Sequence, residues 1–314
     1  MVQMIITQTP LRISFLGGNT DFPAYYKKYG GAVLTTAIDK YVYCIVKERF
    51  DDEIRVTWSI KEIVTDVNKI KHELVREAMK LMGITKGIEI IFLSDIPSEG
   101  SGLGSSSSVT VGVLNALHQY KGEQVTARQL AEEACHIEID ILKKPIGVQD
   151  QYIAAFGGLN LIEFGKKIVV KPRSSRHIED YLMLFYTGKT RQSQKILSVM
   201  KLNKKILDRN KELAQMGALD LLDYELFGEE LDEYWELKKK LNGEVTNGVI
   251  DIMYAKAKEA GAIGGKIAGA GGGGFLLLVV PQEKKKMVRN VLKLRELPFG
   301  LAKDGSKVIF NIRK

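Results

Sequence analysis

With 314 residues, 45% of them hydrophobic, the chain is long enough to bury a large core and to divide into two domains. Its two cysteines, Cys44 and Cys135, lack metal-type spacing, so neither a disulfide framework nor a zinc site is implied and both are expected to be core thiols. The net charge of +8 suits nucleic acid, a membrane surface or small anionic substrates, but the lysine runs at 204–205, 238–240 and 284–286 fall on acid-interleaved helical segments without interleaved aromatics, so solvated helix faces are expected. No apolar run is long enough to span a bilayer, and no basic segment followed by an apolar core opens the chain, so a cytoplasmic location is expected.

Ile5 to Leu16 has strand character interrupted at Thr9-Pro10, and runs into Gly17-Gly18-Asn19-Thr20-Asp21-Phe22-Pro23, residues that suit a turn. Val33 to Lys47 and Glu53 to Ser59 read as strands, and Val67 to Met82 as a helix ending near Gly83. A further strand, Gly87 to Leu93, leads into Ile96-Pro97-Ser98-Glu99-Gly100-Ser101-Gly102-Leu103-Gly104-Ser105-Ser106-Ser107-Ser108. An apolar stripe at helical spacing, Val109, Val113, Leu114 and Leu117, leaves it. Strand, glycine loop and helix thus follow in order. Glycines 100, 102 and 104 let the backbone approach a ligand, and the serines offer hydroxyls and unpaired amides at a helix N-terminus, where anions bind. That frame favours a phosphate cradle over a flexible Gly/Ser linker. It is not the common P-loop, because no Lys-Ser or Lys-Thr follows the glycines.

A capping box, Thr126 to Gln129, opens a helix expected to run to about Leu142, stopped by Pro145. Glu138 falls within its apolar stripe of Leu130, Ala134, Ile137 and Ile141. A carboxylate there needs a partner, either a structural ion pair or a metal. Asp150, in the glycine-flanked run Gly147-Val148-Gln149-Asp150-Gln151, reads as a helix cap or as a functional carboxylate beside the cradle.

Leu161 to Lys171 reads as a hairpin turning at Gly165-Lys166, and the polar connection from Pro172 to Asp180 as the domain boundary. The second half begins with a strand, Tyr181 to Tyr186, then Thr187-Gly188-Lys189-Thr190-Arg191 at the start of a helix, a place that suits phosphate or simply a capped helix with exposed basic residues. Helical stretches are expected at about 192–215, 220–241 and 248–260. Gly269, Gly271 and Gly274 formally make a dinucleotide fingerprint, but this loop is expected after a helix and before the strand Leu276 to Val280, the wrong context for that use.

Three stretches resemble the signatures of the GHMP kinases, the galactokinase, homoserine, mevalonate and phosphomevalonate kinase superfamily. Thr9 to Phe22 is similar to the first signature of the galactokinase branch, matching at Arg12, Gly17, Thr20 and Asp21. Pro97 and Gly102-Leu103-Gly104-Ser105-Ser106 resemble the second, with a spacer one residue longer, and Lys266 to Phe275 resembles the third. Gly18 and Asn19 stand where galactokinases carry an acid and a histidine that grip the sugar, which argues against galactose. The resemblance implies an α+β fold of two domains: residues 1–175, like ribosomal S5 domain 2, and residues 176–314, a ferredoxin-like α/β sandwich. The active site would lie between them, with Phe299 to Phe310 completing a C-terminal strand arrangement.

It also implies a set of roles. Gly100, Ser101, Gly102, Leu103, Gly104, Ser105, Ser106 and Ser107 would hold the ATP phosphates, and Ser106 and Glu138 a magnesium ion. Asp150 would orient or deprotonate the acceptor hydroxyl with Arg12 beside it, and Gly18, Asn19, Asp21, Lys189, Arg191, Gly271 and Gly272 would meet the substrate. Within the superfamily the similarity, which includes Leu231, Trp235, Lys238 and Leu241, is greatest to sugar 1-kinases acting on heptose 7-phosphate, with Lys189 and Arg191 on the 7-phosphate. Fucokinases are their near relatives. The expected partners are ATP and a sugar or sugar phosphate, with no nucleic acid and no membrane, and a homodimer left open. A binding protein that kept the fold and lost turnover is the competing class, and it would have no need of the intact Arg12, Ser106, Glu138 and Asp150.

Overall fold

The computed structural model describes residues 3–97, 100–174, 177–189, 196–197 and 203–312, and builds them into a mixed α+β fold of two sheets with packed helices. In the first sheet, β1 (Met4–Leu16) pairs antiparallel along its length with β2 (Gly31–Glu48). The sheet extends through β3 (Ile54–Thr57), β4 (Lys61–Val64) and β5 (Ile88–Ser94), where β3 and β5 run parallel. On its other edge β2 serves two further neighbours, its first third pairing with β6 (Leu159–Phe164) and its last third with β5. β6 in turn makes a hairpin with β7 (Val169–Pro172). α1 (Pro23–Tyr29) follows the turn after β1. α3 (Ser105–Lys121) lies on β1 and β2, flanked by α2 (Glu73–Leu81), α4 (Ala127–Cys135) and α5 (Gln149–Phe156).

The second sheet holds β8 (Leu182–Tyr186), β9 (Gly264–Ile267), β10 (Phe275–Val279) and β11 (Arg295–Glu296) in the order β11-β8-β10-β9, all antiparallel. Its helices are α6 (Lys204–Gly217), α7 (Tyr224–Leu241), α8 (Gly248–Glu259) and α9 (Lys285–Leu292). α7 packs on β9 and β10, while α6 reaches across to β1 and β2. The core is continuous between the sheets: Phe15 of β1 meets Phe227 of α7 edge-on, ring centroids 5.4 Å apart. No helix among the described residues is long and apolar enough to cross a membrane.

Several local expectations are corrected. β1 is not interrupted at Pro10. β12 (Lys307–Ile312) pairs with β1 only as far as Gln8, so the N–H that Pro10 lacks is not needed by that ladder, and a register shift follows it. β12 thus lies in the first sheet, although it is the last element of the chain. The helix expected from Val67 is a single 3-10 turn, Val67–Lys69, before α2. In the capping box, Thr126 Oγ1 accepts from the Gln129 N–H at 3.1 Å, but Gln129 Nε2 turns forward to Glu133. α4 gives way at His136–Ile141 to a π-helix, whose wider turn shifts the register: Glu138 is fully buried while Ile141 is 41% exposed. The glycine-rich loop at 268–274 follows a strand, β9, rather than a helix; the two glycines of Gly264–Ile267 conceal the strand signal.

Candidate active site

β5 leads toward the first glycine loop and α3 leaves it. Gly100, Gly102 and Gly104 adopt φ of 68°, 75° and 79°, left-handed backbone that glycine reaches without strain. Leu103 is fully buried, so it anchors the loop instead of facing a ligand, and its carbonyl accepts from the Arg12 N–H at 2.9 Å. No side chain caps α3, which leaves the opening amides of a 17-residue helix for an anion, with Ser105, Ser106 and Ser107 beside them.

The loop between β9 and β10 closes on this one. A Cβ added at Gly102 would stand 2.6 Å from the Ala268 carbonyl oxygen, one at Gly269 2.6 Å from that of Gly102, and one at Gly274 2.5 Å from that of Ser101. The two backbones therefore touch. Gly271 and Gly272 turn the other way: Gly271 packs on Val245, the Gly272 N–H donates to the Val245 carbonyl at 2.6 Å, and neither lines the adjoining cleft.

That cleft, of about 800 Å³, brings together Gly100, Ser101, Gly102, Gly104, Ser105, Ser106 and Ser107 with Arg12, Asp150, Glu138, Gly18, Asn19 and Asp21. At its centre Arg12 forks onto Asp150, Nε to Oδ1 at 2.7 Å and Nη2 to Oδ2 at 2.5 Å. Its remaining arm, Nη1, donates to the Gly102 carbonyl at 2.6 Å, so one guanidinium ties the carboxylate to the loop. Asp150 sits in the first turn of α5 rather than capping it.

Ser106 Oγ donates to Glu138 Oε2 at 3.0 Å and Gln151 Nε2 to Oε1 at 3.1 Å. Burial pushes the Glu138 carboxyl above its usual range, against the pull of the Lys144 charge and these hydrogen bonds. On the other wall, Asn19 holds left-handed backbone at φ 73°, and its N–H donates to Asp21 Oδ1 at 3.0 Å. Asp21 Oδ2 accepts from the Gln149 N–H at 3.2 Å. Burial and then the neighbouring Asp150 charge raise Asp21 to about 6. Gly147 is required here, since a Cβ on it would fall 1.9 Å from Asp21 Oδ2. Asn19 Nδ2 and Gln149 Oε1 are buried without a protein partner, one donor and one acceptor in a wall of the cleft.

Of the remaining expected residues, Lys189 is exposed beyond the end of β8 and does not line the cleft, while Arg191 lies outside the described residues. Several lining residues escaped the sequence reading: Trp58, His72, Lys144, Gln149, Tyr234 and Lys266. Lys238, read as part of a solvated run, is 2% exposed and lines the cleft. Helical spacing was the available signal, for Leu231, Tyr234, Lys238 and Leu241 form the buried stripe of α7.

An anion-binding loop faced by a guanidinium-held carboxylate defines a phosphotransferase. The GHMP kinases N terminal domain matches residues 68–158 and the GHMP kinases C terminal domain residues 215–294. The chain is 30% identical to the D-glycero-alpha-D-manno-heptose 7-phosphate kinase of Campylobacter jejuni, over 86% of this chain and 87% of that one. It is 28% identical to a mevalonate kinase of Thermococcus sibiricus, covering 77% and 81% respectively. Its fold matches the crystal structure of a D-glycero-D-manno-heptose 1-phosphate kinase from Bacteroides thetaiotaomicron with a TM-score of 0.82, at 27% identity and full coverage of both chains. The chain belongs to the GHMP kinases, and is an ATP-dependent kinase.

Proposed function

We propose that the chain transfers the γ-phosphoryl group of ATP to the anomeric hydroxyl of D-glycero-D-manno-heptose 7-phosphate, giving the 1,7-bisphosphate and ADP. The observation that carries the reading is the Arg12 fork, which holds Asp150 against the phosphate loop. The sugar identity rests on the likeness to the heptose phosphate kinases. In the reaction the anomeric oxygen forms a bond to the γ-phosphorus, the bridging bond to the β-phosphate breaks, and the hydroxyl proton leaves toward Asp150. Through its fork Arg12 fixes the orientation of Asp150, and its charge offsets the charge gathering on the phosphoryl oxygens.

The loop from Gly100 to Ser107 holds the phosphates, and the aromatic end of the cleft, where the rings of Trp58 and His72 meet at 4.7 Å, takes the nucleobase. Ser106 Oγ and the Glu138 carboxylate are hard oxygen donors that would hold magnesium. When bound, the ion neutralises phosphate charge. Asn19 Nδ2, Gln149 Oε1 and the Asp21 carboxylate suit sugar hydroxyls, with Gly18 behind them. By likeness to the heptose phosphate kinases, Lys189 and Arg191 would meet the 7-phosphate.

The role of Asp150 is tested with Asp150→Asn. Its nucleotide affinity should stay within about threefold of wild type while kcat falls on the order of 100-fold or more. Turnover near the wild-type rate would remove Asp150 from the mechanism.

A further inference from the structure

Among the described residues, Lys238 is a buried lysine without a counter-ion. It is 2% exposed, and the one acceptor it meets among the described residues is the Gly269 carbonyl. An ammonium carries three donors, so two are left without a protein acceptor. The charged groups that face it are Arg12 from β1 and Lys266 from β9, both cationic, and Asp150 is already engaged by Arg12. Lys266 has a structural explanation that Lys238 lacks. It donates to the carbonyls of Ser14 and Phe15, each at 2.8 Å, and its Nζ stands 4.4 Å from the centre of the Tyr234 ring. Lys258, on the neighbouring helix α8, has a carboxylate partner in Asp232 at 3.0 Å. Lys238 has none among the described residues, yet it lines the cleft.

Its place says what would complete it. One turn earlier on α7, the Tyr234 hydroxyl packs against Gly18, in the turn that carries Asn19 and Asp21. Lys238 itself touches Gly269, whose backbone abuts Gly102 of the phosphate loop. It thus stands between the sugar wall and the phosphate loop. We propose that Lys238 is a phosphate-binding residue of this cleft, a second cation beside Arg12 that takes an oxygen from a phosphate of ATP or from the substrate's own phosphate. The inference deepens the proposed function and rests on it for the second source only. Burial, and then the Arg12 charge, lower the Lys238 ammonium to about 7, so an arriving phosphate dianion restores a proton to it.

The test is calorimetry on wild type, Lys238→Met and Lys238→Arg, each titrated in two buffers of different ionisation enthalpy at about pH 7.5. The ligands are the non-hydrolysable analogue AMP-PNP, heptose 7-phosphate and unphosphorylated heptose. Wild type should take up protons on binding a phosphorylated ligand. Lys238→Met should bind that ligand about 10-fold or more weakly without proton uptake, and Lys238→Arg should recover most of the affinity, also without uptake. Unphosphorylated heptose should bind all three proteins alike. A loss confined to AMP-PNP assigns Lys238 to the nucleotide, and one confined to heptose 7-phosphate assigns it to the substrate. Unchanged affinity and proton uptake for both phosphorylated ligands would overturn the inference, as would an equal loss for unphosphorylated heptose. Wild type that fails to bind heptose 7-phosphate, with the AMP-PNP effect present, would instead reject the sugar assignment and keep Lys238.

Discussion

The contact between the two glycine loops makes a quantitative prediction through Gly102→Ala. Gly102 has φ +75°, and a Cβ there lies 2.6 Å from the Ala268 carbonyl oxygen and 3.1 Å from its carbon. Both obstacles are backbone, so no side chain can swing aside. Left-handed backbone costs a non-glycine residue about 1–2 kcal/mol, and forcing the loops apart adds about 1–3 kcal/mol. Gly122→Ala is the control, since its φ is +82° but nothing lies within 4 Å of the added methyl. The gain from a stiffer unfolded chain is common to both and cancels. Denaturant unfolding should therefore place Gly102→Ala about 1–3 kcal/mol below Gly122→Ala. Because the Gly102 carbonyl also holds Arg12 Nη1 at 2.6 Å, kcat should fall about 10-fold or more in the first variant and stay unchanged in the second. Equal stabilities and equal kcat would refute the close approach of the loops.

Two further outcomes are expected. Glu138→Gln should weaken the apparent magnesium affinity by about 10-fold or more, read from activity against magnesium concentration. Its Tm at neutral pH should be unchanged or higher, because burial already disfavours the Glu138 charge, and a lower Tm with unaltered magnesium dependence would make the residue structural. His118 lies between Glu123 and Glu133, each at 2.7 Å. Burial alone would lower its pKa, but the hydrogen bonds its ring donates to the two carboxylates carry it above the usual histidine range. A raised folded pKa gives stability that is complete below the unfolded value and lost as pH rises through the folded one. The Tm difference between wild type and His118→Gln should therefore shrink as pH goes from about 5.5 to about 9, and a constant difference would contradict the ion-pair account.

What the sequence made legible was local. The strand, glycine loop and helix order around Gly102, the cap at Thr126, and the placement of Ser106, Glu138, Arg12 and Asp150 all follow from short spacings or from motif resemblance. The rest depended on partners distant in the chain. β12 finds β1 about 300 residues away, and its exposed residues show no alternation that would announce a partner. Lys238 was hidden by its neighbours Lys239 and Lys240, which do lie toward solvent, although the stripe of α7 carries it inward. The burial of Glu138 was readable from periodicity, but the π-turn that moves Ile141 outward was not, because one extra residue per turn leaves no compositional trace. Asp21 and Gln149 come together only because Gly147 lets α5 approach the turn after β1.

Phosphoryl transfer to an anomeric hydroxyl next to Asp150 is read out by phosphorus NMR of the reaction of the purified protein with ATP, magnesium and heptose 7-phosphate. Free heptose, fucose and galactose serve as parallel acceptors. ADP and a new phosphorus resonance coupled to the anomeric proton are expected, formed with heptose 7-phosphate at a kcat/KM about 100-fold or more above that for the free sugars. ADP formed with inorganic phosphate and no phosphorylated sugar, or a product carrying its new phosphate away from the anomeric carbon, would contradict that transfer.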